Sequence, residues 1–422
     1  MNIWYFNHYS VPSNYMGNRR TFDFAAKFVE LGHKVTIISS SFIRRSNIDV
    51  IENKGLMKSE IYRGVTYLWL KAFPKYYKND YRRLLNMLFY LITSQIFHLN
   101  GEPDIIIGSS PTPFAAFSGW MWAKRLQTKF VFEVRDLWPQ VSIDLGMFDQ
   151  GHPLVKFSYL MEEFLYSKAH LVITSLPLAS KYFQKRGFKT KKLVHIPNGI
   201  DLNDFQESQI QKKIKDLPTS LVNLMKSLKV HDKKSIICIG ALAHYCGAEV
   251  VLKAAFLIKS IKGIGDKIAF IFVGDGPEKD KLLSLKNTYK LENVFFYPSI
   301  HRTLVPSLLS LADFAIFSVA TSSYGAYGFN SNKLYDYLAA GVPVIFAAEA
   351  SNNPVNESRC GISTSTQNPK AIVEAIKYLL SLSSEELDKM KKRGRQYMLK
   401  YHDLSMLAHQ YVSVLKGVLK NK

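Results

Sequence analysis

The amino-acid sequence predicts an α/β fold, organised as two Rossmann-like, doubly wound domains in tandem. Strand-like apolar runs alternate with helical patterns along almost the whole chain, which is typical of parallel βαβ units. The chain has 422 residues, too many for one ordinary domain, and the alternation starts again at residue 234. We therefore predict a first domain over residues 1–200 and a second over 201–400, with a helical segment at 401–422 that could cross back to the first domain.

The elements of the first domain follow one another in a regular order. The strand "NIWYFN" precedes a helix that ends at "ELGHK" and the strand "VTIISSS". Next come the strand "DIIIGSS", the helix "FAAFSGWMWAKRLQ", the strand "KFVFEVRD", the helix "LVKFSYLMEEFLYSKA" and the strand "HLVITSL". The runs "ASKYFQKRG" and "KLVHIPNGID" complete what we predict to be a doubly wound sheet.

The second domain repeats this order after a lysine-rich connection over 206–234. The strand "KSIICIGAL" is followed by the helix "AEVVLKAAFLIKS", the strand "IAFIFVGDG", the helix "PEKDKLLSLKNTYK" and the strand "NVFFYPSI". The helix "TLVPSLLSLA", the strand "DFAIFSVA" and the stretch "NKLYDYLAAGVPVIF" come next. Two such domains leave a cleft between the carboxyl edges of their sheets, and we expect ligands there.

Composition limits the compartment and the class of partner. A net charge of +21 favours nucleic acid, anionic lipid or phosphorylated small molecules, but no nucleic-acid-binding motif accompanies it. Three scattered cysteines, Cys238, Cys246 and Cys360, indicate a reducing compartment and structural thiols. The amino terminus lacks a signal-peptide pattern, and the apolar run at 84–99 is shorter than the roughly 20 residues that span a bilayer. We expect a cytoplasmic protein, or one peripheral on a membrane.

The stretch at 327–346 contains the first candidate site. Ser331 is a plausible N-cap of a helix over 332–340, and Gly341 is its C′ residue. Lys333 lies in the first turn, where a cation opposes the macrodipole unless an anion such as a diphosphate is bound. Asp336 follows one turn later on the same face and could accept from a ribose diol. A surface lysine and aspartate on an amphipathic helix remain the alternative.

Three further groups are candidates. Arg135 and Asp136, with Glu133 before them, end a buried strand at the edge where ligands bind, although a salt-bridge cluster is the alternative. The polar loop after the first strand contains His8, Gly17 and Arg19 but lacks G-x-G-x-x-G spacing, and a simple glycine turn is its alternative. The turn "VGDGPEKDKL", with Gly274 and Gly276, fits the wall of a nucleotide pocket in the second domain.

A basic and aromatic segment precedes the apolar run at 84–99. It contains five cations that anionic lipid would attract at about 1 kcal/mol each: Lys71, Lys75, Lys78, Arg82 and Arg83. This order is typical of an interfacial membrane anchor. A core helix of the first domain is the alternative for 84–99, and both interpretations could hold for different faces.

These motifs together resemble retaining glycosyltransferases of the GT-B fold, in the GT4 group. Within it the chain is similar to bacterial enzymes that add N-acetyl-fucosamine-type sugars in O-antigen or capsule assembly, on the motifs "HYSVPSNYMGNRR", "SSPTPFAAFSG", "FVFEVRDLWP", "IPNGID", "GDGPEKDKL" and "NSNKLYDYLAAGVPVI". The resemblance implies a UDP-sugar donor, a polyprenyl-diphosphate-linked acceptor reached from the inner face of the membrane, and no metal or other cofactor. No Asp-x-Asp pair, Walker A loop or His/Cys cluster occurs in the sequence.

The resemblance also assigns roles. Lys333, Asp136 and Arg135 would be catalytic, with the last two at the reacting sugar, and His8, Gly17 and Arg19 would line the acceptor side. The amides of 329–332 would hold the diphosphate and Asp336 the ribose. The nucleotide-sugar site would comprise Gly328, Phe329, Asn330, Ser331, Asn332, Asp336, Gly240, Gly274, Gly276 and Asn198.

The chain departs from the group in two places. The usual pair of glutamates eight positions apart is here Gly328 and Asp336, so the backbone of 328–331 would replace the first glutamate's contact. The usual arginine and lysine after the first strand of the second domain are absent, and His244 and Arg302 are candidate substitutes. Two other functions therefore stay open: a sugar-nucleotide epimerase of the same architecture, and an inactive partner subunit of a polysaccharide assembly complex.

Overall fold

The computed structural model describes residues 1–52, 55–77, 80–96, 101–188, 193–320 and 325–420. The chain divides into two compact units, one formed by Met1–Gly199 with Leu404–Lys422 and the other by Ile200–Asp403. Each unit has a sheet covered by helices, wholly parallel in one unit and mostly parallel in the other, with buried aliphatic and aromatic side chains between the layers.

Within the described residues, unit 1 contains an eight-stranded sheet and a short hairpin. The strands are β1 (Asn2–Phe6), β2 (Lys34–Ser40), β3 (Phe42–Ile43), β4 (Ile48–Asp49), β5 (Met57–Tyr62), β6 (Val65–Leu70), β7 (Ile105–Ser109), β8 (Lys129–Val134), β9 (Leu171–Thr174) and β10 (Leu193–His195). The sheet order is β10-β9-β8-β7-β1-β2-β6-β5, and β3 pairs with β4. All neighbours in the sheet are parallel except β5 and β6, and the order reverses between β1 and β7.

The helices of unit 1 are α1 (Arg20–Glu30), α2 (Tyr81–Ile96), α3 (Pro113–Arg125), α4 (Gln140–Asp144), α5 (Pro153–Lys168), α6 (Ala179–Lys185) and, after the second unit, α16 (Leu404–Lys420). α16 packs on α1, and its Tyr411 lies against Phe24 and Phe28 in the core. α3 covers β1, β7 and β8. The loops that follow β1 and β7 therefore meet at the switch point where ligands bind in such sheets.

In the described residues, unit 2 has a six-stranded parallel sheet in the order β13-β12-β11-β14-β15-β16. Its strands are β11 (Lys234–Ile239), β12 (Ile268–Val273), β13 (Val294–Tyr297), β14 (Phe314–Ser318), β15 (Val344–Ala347) and β16 (Gly361–Thr364). Its helices are α7 (Glu207–Ile214), α8 (Thr219–Val230), α9 (Ala248–Lys259), α10 (Lys279–Thr288), α11 (Val305–Leu309), α12 (Asn332–Ala340), α13 (Pro354–Ser358), α14 (Pro369–Ser381) and α15 (Ser384–Tyr401). The switch point lies between β11 and β14.

The structure differs from the sequence prediction in three segments. The connection expected over 206–234 contains α7 and α8, and Leu221 of α8 is fully buried in the core of unit 2. The region between residues 42 and 70 forms β3 to β6, which the alternation of strands and helices did not predict. The closing helical run consists of two helices, α15 in one unit and α16 in the other.

Candidate functional site

The first turn of α12 faces the carboxyl end of β11. The Lys333 side chain passes close to Gly240, which ends that strand, and its Nζ lies 4.9 Å from the centre of the Phe317 ring. One turn later the Tyr337 hydroxyl accepts a hydrogen bond of 2.8 Å from the amide of Ile239. Tyr337 thereby fixes the rotation of α12, so that Lys333 projects to the switch point of unit 2. The sequence gave no reason to single out Tyr337.

The C-terminal end of α12 is as predicted, whereas its N-terminal cap differs from the prediction. Gly341 ends the helix in the left-handed conformation with a φ of 68°, as its place after the last helical residue indicated. Ser331 occupies the N-cap position, but its side chain makes no capping hydrogen bond. The first turn contains no acidic residue, so its amide dipoles and the Lys333 ammonium form a positive end.

Asp336 pairs with an arginine and does not share the surroundings of Lys333. Its carboxylate is buried and accepts two hydrogen bonds of 3.1 Å from the guanidinium of Arg302, one on each oxygen. Such a bidentate pair fixes both side chains. Arg302, a candidate phosphate ligand from the sequence, is thus held against Asp336. The assignment of Asp336 to a ribose stays a prediction, and a ribose there would share the carboxylate with Arg302.

The loop before α12 is held by the loop after β15. The Phe329 amide donates to Oδ1 of Asn352 at 2.6 Å, and Nδ2 of Asn352 donates to the Phe329 carbonyl at 3.0 Å. The Gly328 amide donates to the Gly325 carbonyl at 3.0 Å. The expectation that the Phe329 amide holds a diphosphate is therefore corrected, because Asn352 already occupies it. Asn330, Ser331 and Asn332 stay predictions, and nothing in the sequence pointed to Asn352.

Glycines join the loops that follow β11, β12 and β14. A side chain at Gly274 would collide with the carbonyl of Gly240, and one at Gly276 with the carbonyl of Leu242. Gly240 has a φ of 121°, which other residues rarely adopt. Gly247, at the start of α9, would bring a Cβ to 2.7 Å from the Val319 carbonyl carbon. These glycines let the backbones of the loops at the switch point approach one another closely.

The charged residues at the end of β8 in unit 1 form two groups with different surroundings. Glu133 is fully buried and accepts from Nε of Arg20 at 3.0 Å and from the Ser109 hydroxyl at 2.7 Å. The remaining guanidinium nitrogens of Arg20 donate to the Ile196 and Pro197 carbonyls and, at 2.9 Å, to Oδ1 of Asn198. For Glu133 the salt-bridge interpretation is correct. Oδ1 of Asn198 helps to hold Arg20, and the assignment of Asn198 to the nucleotide-sugar site stays a prediction.

The side chains of Arg135 and Asp136 are not part of that hydrogen-bond network. Nε and Nη1 of Arg135 are buried without a hydrogen-bond partner among the described residues, and burial lowers the pKa of the guanidinium while Glu133 and Asp136 oppose the shift. Burial likewise raises the pKa of the Asp136 carboxyl, and Arg135 opposes it. The Ser110 hydroxyl accepts from the Arg135 amide at 2.8 Å and positions the turn. Buried donors without partners are suited to the oxygens of a ligand.

Asp136 shares a small cavity with Glu162 of α5, whose carboxyl is buried. The Tyr182 and Tyr166 hydroxyls donate to the two oxygens of Glu162 at 2.7 and 2.9 Å. Burial nevertheless raises the pKa of Glu162 to about 7, against the hydrogen bonds and Arg186. Glu162 is therefore a buried carboxyl that is partly protonated near neutral pH.

We expect Glu162→Gln to weaken the dependence of stability on pH. Because the folded pKa is above the unfolded value of 4.5, the stabilisation is complete below that value and is lost as pH rises through 7. The variant should therefore be more stable than the wild type at pH 8, by about 3 kcal/mol at most, and about equal to it at pH 4, below the unfolded pKa. Urea unfolding followed by tryptophan fluorescence measures this, and Glu163→Gln, at the exposed neighbouring position, is the matched control. If the stabilities of Glu162→Gln and the wild type changed with pH in the same way, the raised pKa assigned to Glu162 would be wrong.

The predicted acceptor-side residues lie in the loop after β1. His8 is buried, its Nε2 lies 2.9 Å from Oδ1 of Asn86, and burial lowers its pKa to about 3. Because Nδ2 of Asn86 donates to the Pro74 carbonyl, Oδ1 is the acceptor and His8 carries its proton on Nε2. Nδ1 of His8 is then an unprotonated acceptor without a partner among the described residues. Arg19 pairs with Asp23 at 2.9 Å in this region.

Gly17 makes a packing contact, and two cations of the basic segment bond to other residues of unit 1. A Cβ at Gly17 would lie 2.7 Å from Cγ2 of Val11. Lys71 pairs with Asp49 at 2.9 Å, and Arg83 donates to the Tyr9 hydroxyl at 3.0 Å. Lys78 and residues 97–99 lie outside the described residues. The described helices include none that is both long and apolar enough to cross a bilayer, and the described residues contain no group of three or more His, Cys, Asp or Glu placed to hold a metal.

All three cysteines are buried and unpaired. Burial raises the pKa of the Cys238 thiol to about 11, while the nearby Lys333 ammonium opposes that shift. The thiol is therefore protonated and inert at neutral pH. The proximity agrees with the position of Lys333 at the end of β11.

Comparisons with known proteins match both halves of the chain. Residues 223–397 match the family model described as Glycosyl transferases group 1, and residues 17–204 match the one described as Glycosyltransferase Family 4. A protein of Escherichia coli (strain K12) whose name assigns it to colanic acid biosynthesis as a glycosyl transferase, WcaI, is 24% identical over 348 residues, which cover 80% of each chain.

Solved structures match over the full length. Sucrose-phosphate synthase from Thermosynechococcus elongatus superposes with a TM-score of 0.76 at 16% identity and covers 100% of both chains. HepE of Anabaena, in complex with UDP and glucose, gives 0.69 at 16% identity with 99% of both chains covered. WaaG, a glycosyltransferase involved in lipopolysaccharide biosynthesis, gives 0.68 at 13% identity over 99% of this chain and 100% of that one. These matches confirm the predicted fold of two Rossmann-like domains.

Proposed function

This chain is a GT4-type glycosyltransferase of the GT-B fold, and on that premise we propose that it moves a sugar from a UDP-sugar to a polyprenyl-diphosphate-linked acceptor during synthesis of a bacterial surface polysaccharide. The sugar of the donor would be an N-acetylated deoxyhexosamine. The reaction would retain the anomeric configuration and need no metal.

The observation that carries the donor assignment is the place of Lys333. Its ammonium projects from the uncapped, acid-free first turn of α12 to the glycine at the end of β11. When the glycosidic carbon–oxygen bond breaks, negative charge develops on the departing diphosphate. A fixed cation and aligned amides at that point stabilise this charge without a metal ion. The UDP and glucose bound by HepE support a UDP-sugar as the donor.

Residues of unit 1 would serve the sugar and the acceptor. The partnerless Nε and Nη1 of Arg135 would donate to ligand oxygens, and Asp136 would accept from sugar hydroxyls. Neutral His8 would accept from an acceptor hydroxyl through Nδ1, since its depressed pKa keeps that nitrogen unprotonated. Gly17 and Arg19 would shape the same loop.

The proposed enzyme would work on the inner face of the cytoplasmic membrane. A lipid-linked acceptor must be met at the bilayer, and the cations of the basic segment would attract anionic lipid. WaaG and WcaI are named for lipopolysaccharide and colanic acid synthesis, which supports a surface polysaccharide as the product.

Nucleotide binding tests the donor assignment first. We expect UDP to raise the unfolding temperature, while GDP and ADP have much smaller effects at equal concentration, since a ligand at 100 times its Kd adds about 2.7 kcal/mol. A panel of UDP-sugars then identifies the donor by transfer to a lipid-linked acceptor, in the presence and absence of EDTA. Product formed from a UDP-sugar without any acceptor would instead indicate an epimerase. Binding of none of the nucleotides would indicate an inactive subunit.

A further inference from the structure

Three helices of unit 1, α2, α3 and α5, form one continuous layer, which we call the α2–α3–α5 layer. α3 packs against both of the others. The Ser94 hydroxyl of α2 lies 2.7 Å from the Ser118 hydroxyl of α3, and the Trp120 ring of α3 lies 4.7 Å from the Phe164 ring of α5. The outward sides of these helices therefore form a single surface.

Helix α2 has its polarity reversed relative to an ordinary surface helix. Its buried residues are Asn86, Tyr90, Thr93 and Ser94, and each forms a hydrogen bond within unit 1. Its exposed residues include Leu85, Ile92 and Ile96, the last with 70% of its surface accessible. They recur at spacings of seven and four, which places them on one stripe. The satisfied polar side faces the protein, and the aliphatic side faces outward.

Helix α5 also exposes an aliphatic stripe, while its buried side combines the aliphatic Val155 and Leu165 with two hydrogen-bonded polar residues. Glu162 and Tyr166 are buried and bonded to each other, whereas Leu154, Phe157 and Leu160 are exposed, Leu160 by 66%. Their spacing of three residues again gives one stripe. Helices α2 and α5 lie on either side of α3, and both expose aliphatic stripes of the kind that mark interaction surfaces.

The charge around this patch is almost entirely positive. The three helices contain six cations: Arg82, Arg83, Lys124, Arg125, Lys156 and Lys168. Their acidic residues are Glu162, which is buried, and Glu163. The Lys124 ammonium lies 5.6 Å from the Trp120 ring centre and that of Lys168 lies 5.7 Å from the Phe164 ring centre. Cations beside aromatic rings at the edge of an apolar patch are typical of a membrane interface.

We propose that the outer face of the α2–α3–α5 layer contacts anionic lipid directly, with α5 as a second contact remote in sequence from the basic segment. The inference deepens the membrane part of the proposed function. Apolar stripes enter the boundary between headgroups and acyl chains, and the cations pair with lipid phosphates. A second copy of the chain fits less well, because self-association would bring two positively charged faces together.

Vesicle co-sedimentation of the full chain tests the surface. Phosphatidylcholine vesicles with and without phosphatidylglycerol are used, and we expect binding only to the anionic ones. Leu160→Glu and Ile92→Glu should each lower the partition coefficient about tenfold or more, because each removes an exposed aliphatic side chain that would enter the membrane interface and adds a charge that anionic lipid repels. The matched control is Ile61→Glu, at an exposed position of β5 outside the layer, which should bind within about twofold of the wild type.

Two outcomes would overturn the inference. One is Leu160→Glu binding as tightly as the wild type, which would limit the contact to the basic segment and α2. The other is a wild type that forms dimers in sedimentation velocity, fails to bind the vesicles and becomes monomeric in both variants, which would identify a self-association surface. Thermal unfolding establishes that each variant is folded. UDP binding is measured separately, so failure of the donor assignment leaves the vesicle result intact, and the reverse holds.

Discussion

Lys333→Ala is expected to lower kcat for sugar transfer by about 10²- to 10³-fold. The unfolding temperature of the variant should stay close to that of the wild type. Lys333 projects from the first turn of α12 past Gly240 and beside the Phe317 ring, and it forms no ion pair with a carboxylate of the described residues. Its charge therefore contributes chiefly when a diphosphate develops charge at that position, and removing such a group costs several kcal/mol in the transition state. Steady-state kinetics with the identified UDP-sugar measures the effect and separates kcat from KM.

Two control variants accompany Lys333→Ala. Lys333→Arg retains the charge and should recover part of the activity. Lys370→Ala removes an exposed lysine from the first turn of α14, an equivalent place on a helix of the same unit, and should leave kcat unchanged. If Lys333→Ala and Lys370→Ala were equally active, Lys333 would have no role in catalysis.

Glu133→Gln is expected to destabilise unit 1 by about 3–5 kcal/mol, because it leaves the buried Arg20 guanidinium without its counter-charge. Burial by itself would raise the pKa of Glu133, but Arg20 and Arg135 outweigh it and hold the pKa below its usual value. The stabilisation is therefore present at neutral pH and is lost as pH falls through the depressed pKa. The loss in the variant should accordingly be largest at neutral pH.

Tryptophan fluorescence reports this effect selectively. The five tryptophans, Trp4, Trp69, Trp120, Trp122 and Trp138, all belong to unit 1, so urea unfolding followed by their emission measures that unit. The matched control is Glu30→Gln, the same substitution at a half-exposed carboxylate that pairs with Arg63 and Lys27, which should cost less than about 1 kcal/mol. Equal stability losses for Glu133→Gln and Glu30→Gln would show that burial of the Arg20 pair is not decisive.

The order of elements followed from the sequence because their signals are local. Apolar strands followed by amphipathic helices predicted both sheets, and β1, β7, β8, β11, β12 and β14 lie where those runs were found. β5 was missed because it is an exposed edge strand, with Lys58 and Glu60 among its residues, and its place depends on pairing with β6. α7 and α8 were not predicted because the segment is rich in lysine. Only a few of its apolar residues face the core of unit 2, so their helical spacing was not recognised.

The candidate site was predictable only in part, since its partners come from distant positions. The place of Lys333 in a first turn followed from the Gly341 stop and the helical pattern. That Asn352 holds the Phe329 amide, or that Tyr337 fixes α12 on β11, depends on contacts across the sheet. Arg302 was considered for phosphate but bonds to Asp336, 34 residues away.

By itself the sequence determined the two-domain α/β architecture, the limits of α12 and the presence of Lys333 at its start, because periodicity and caps act within a few residues. Only the tertiary structure decided which charges near β8 are structural and which sides of the helices face outward. Glu133 is neutralised by Arg20, 113 residues away, while two nitrogens of Arg135, two positions later, have no partner among the described residues. The apolar stripe of α2 faces outward because its polar side chains find hydrogen bonds inside, and such pairing depends on the assembled unit.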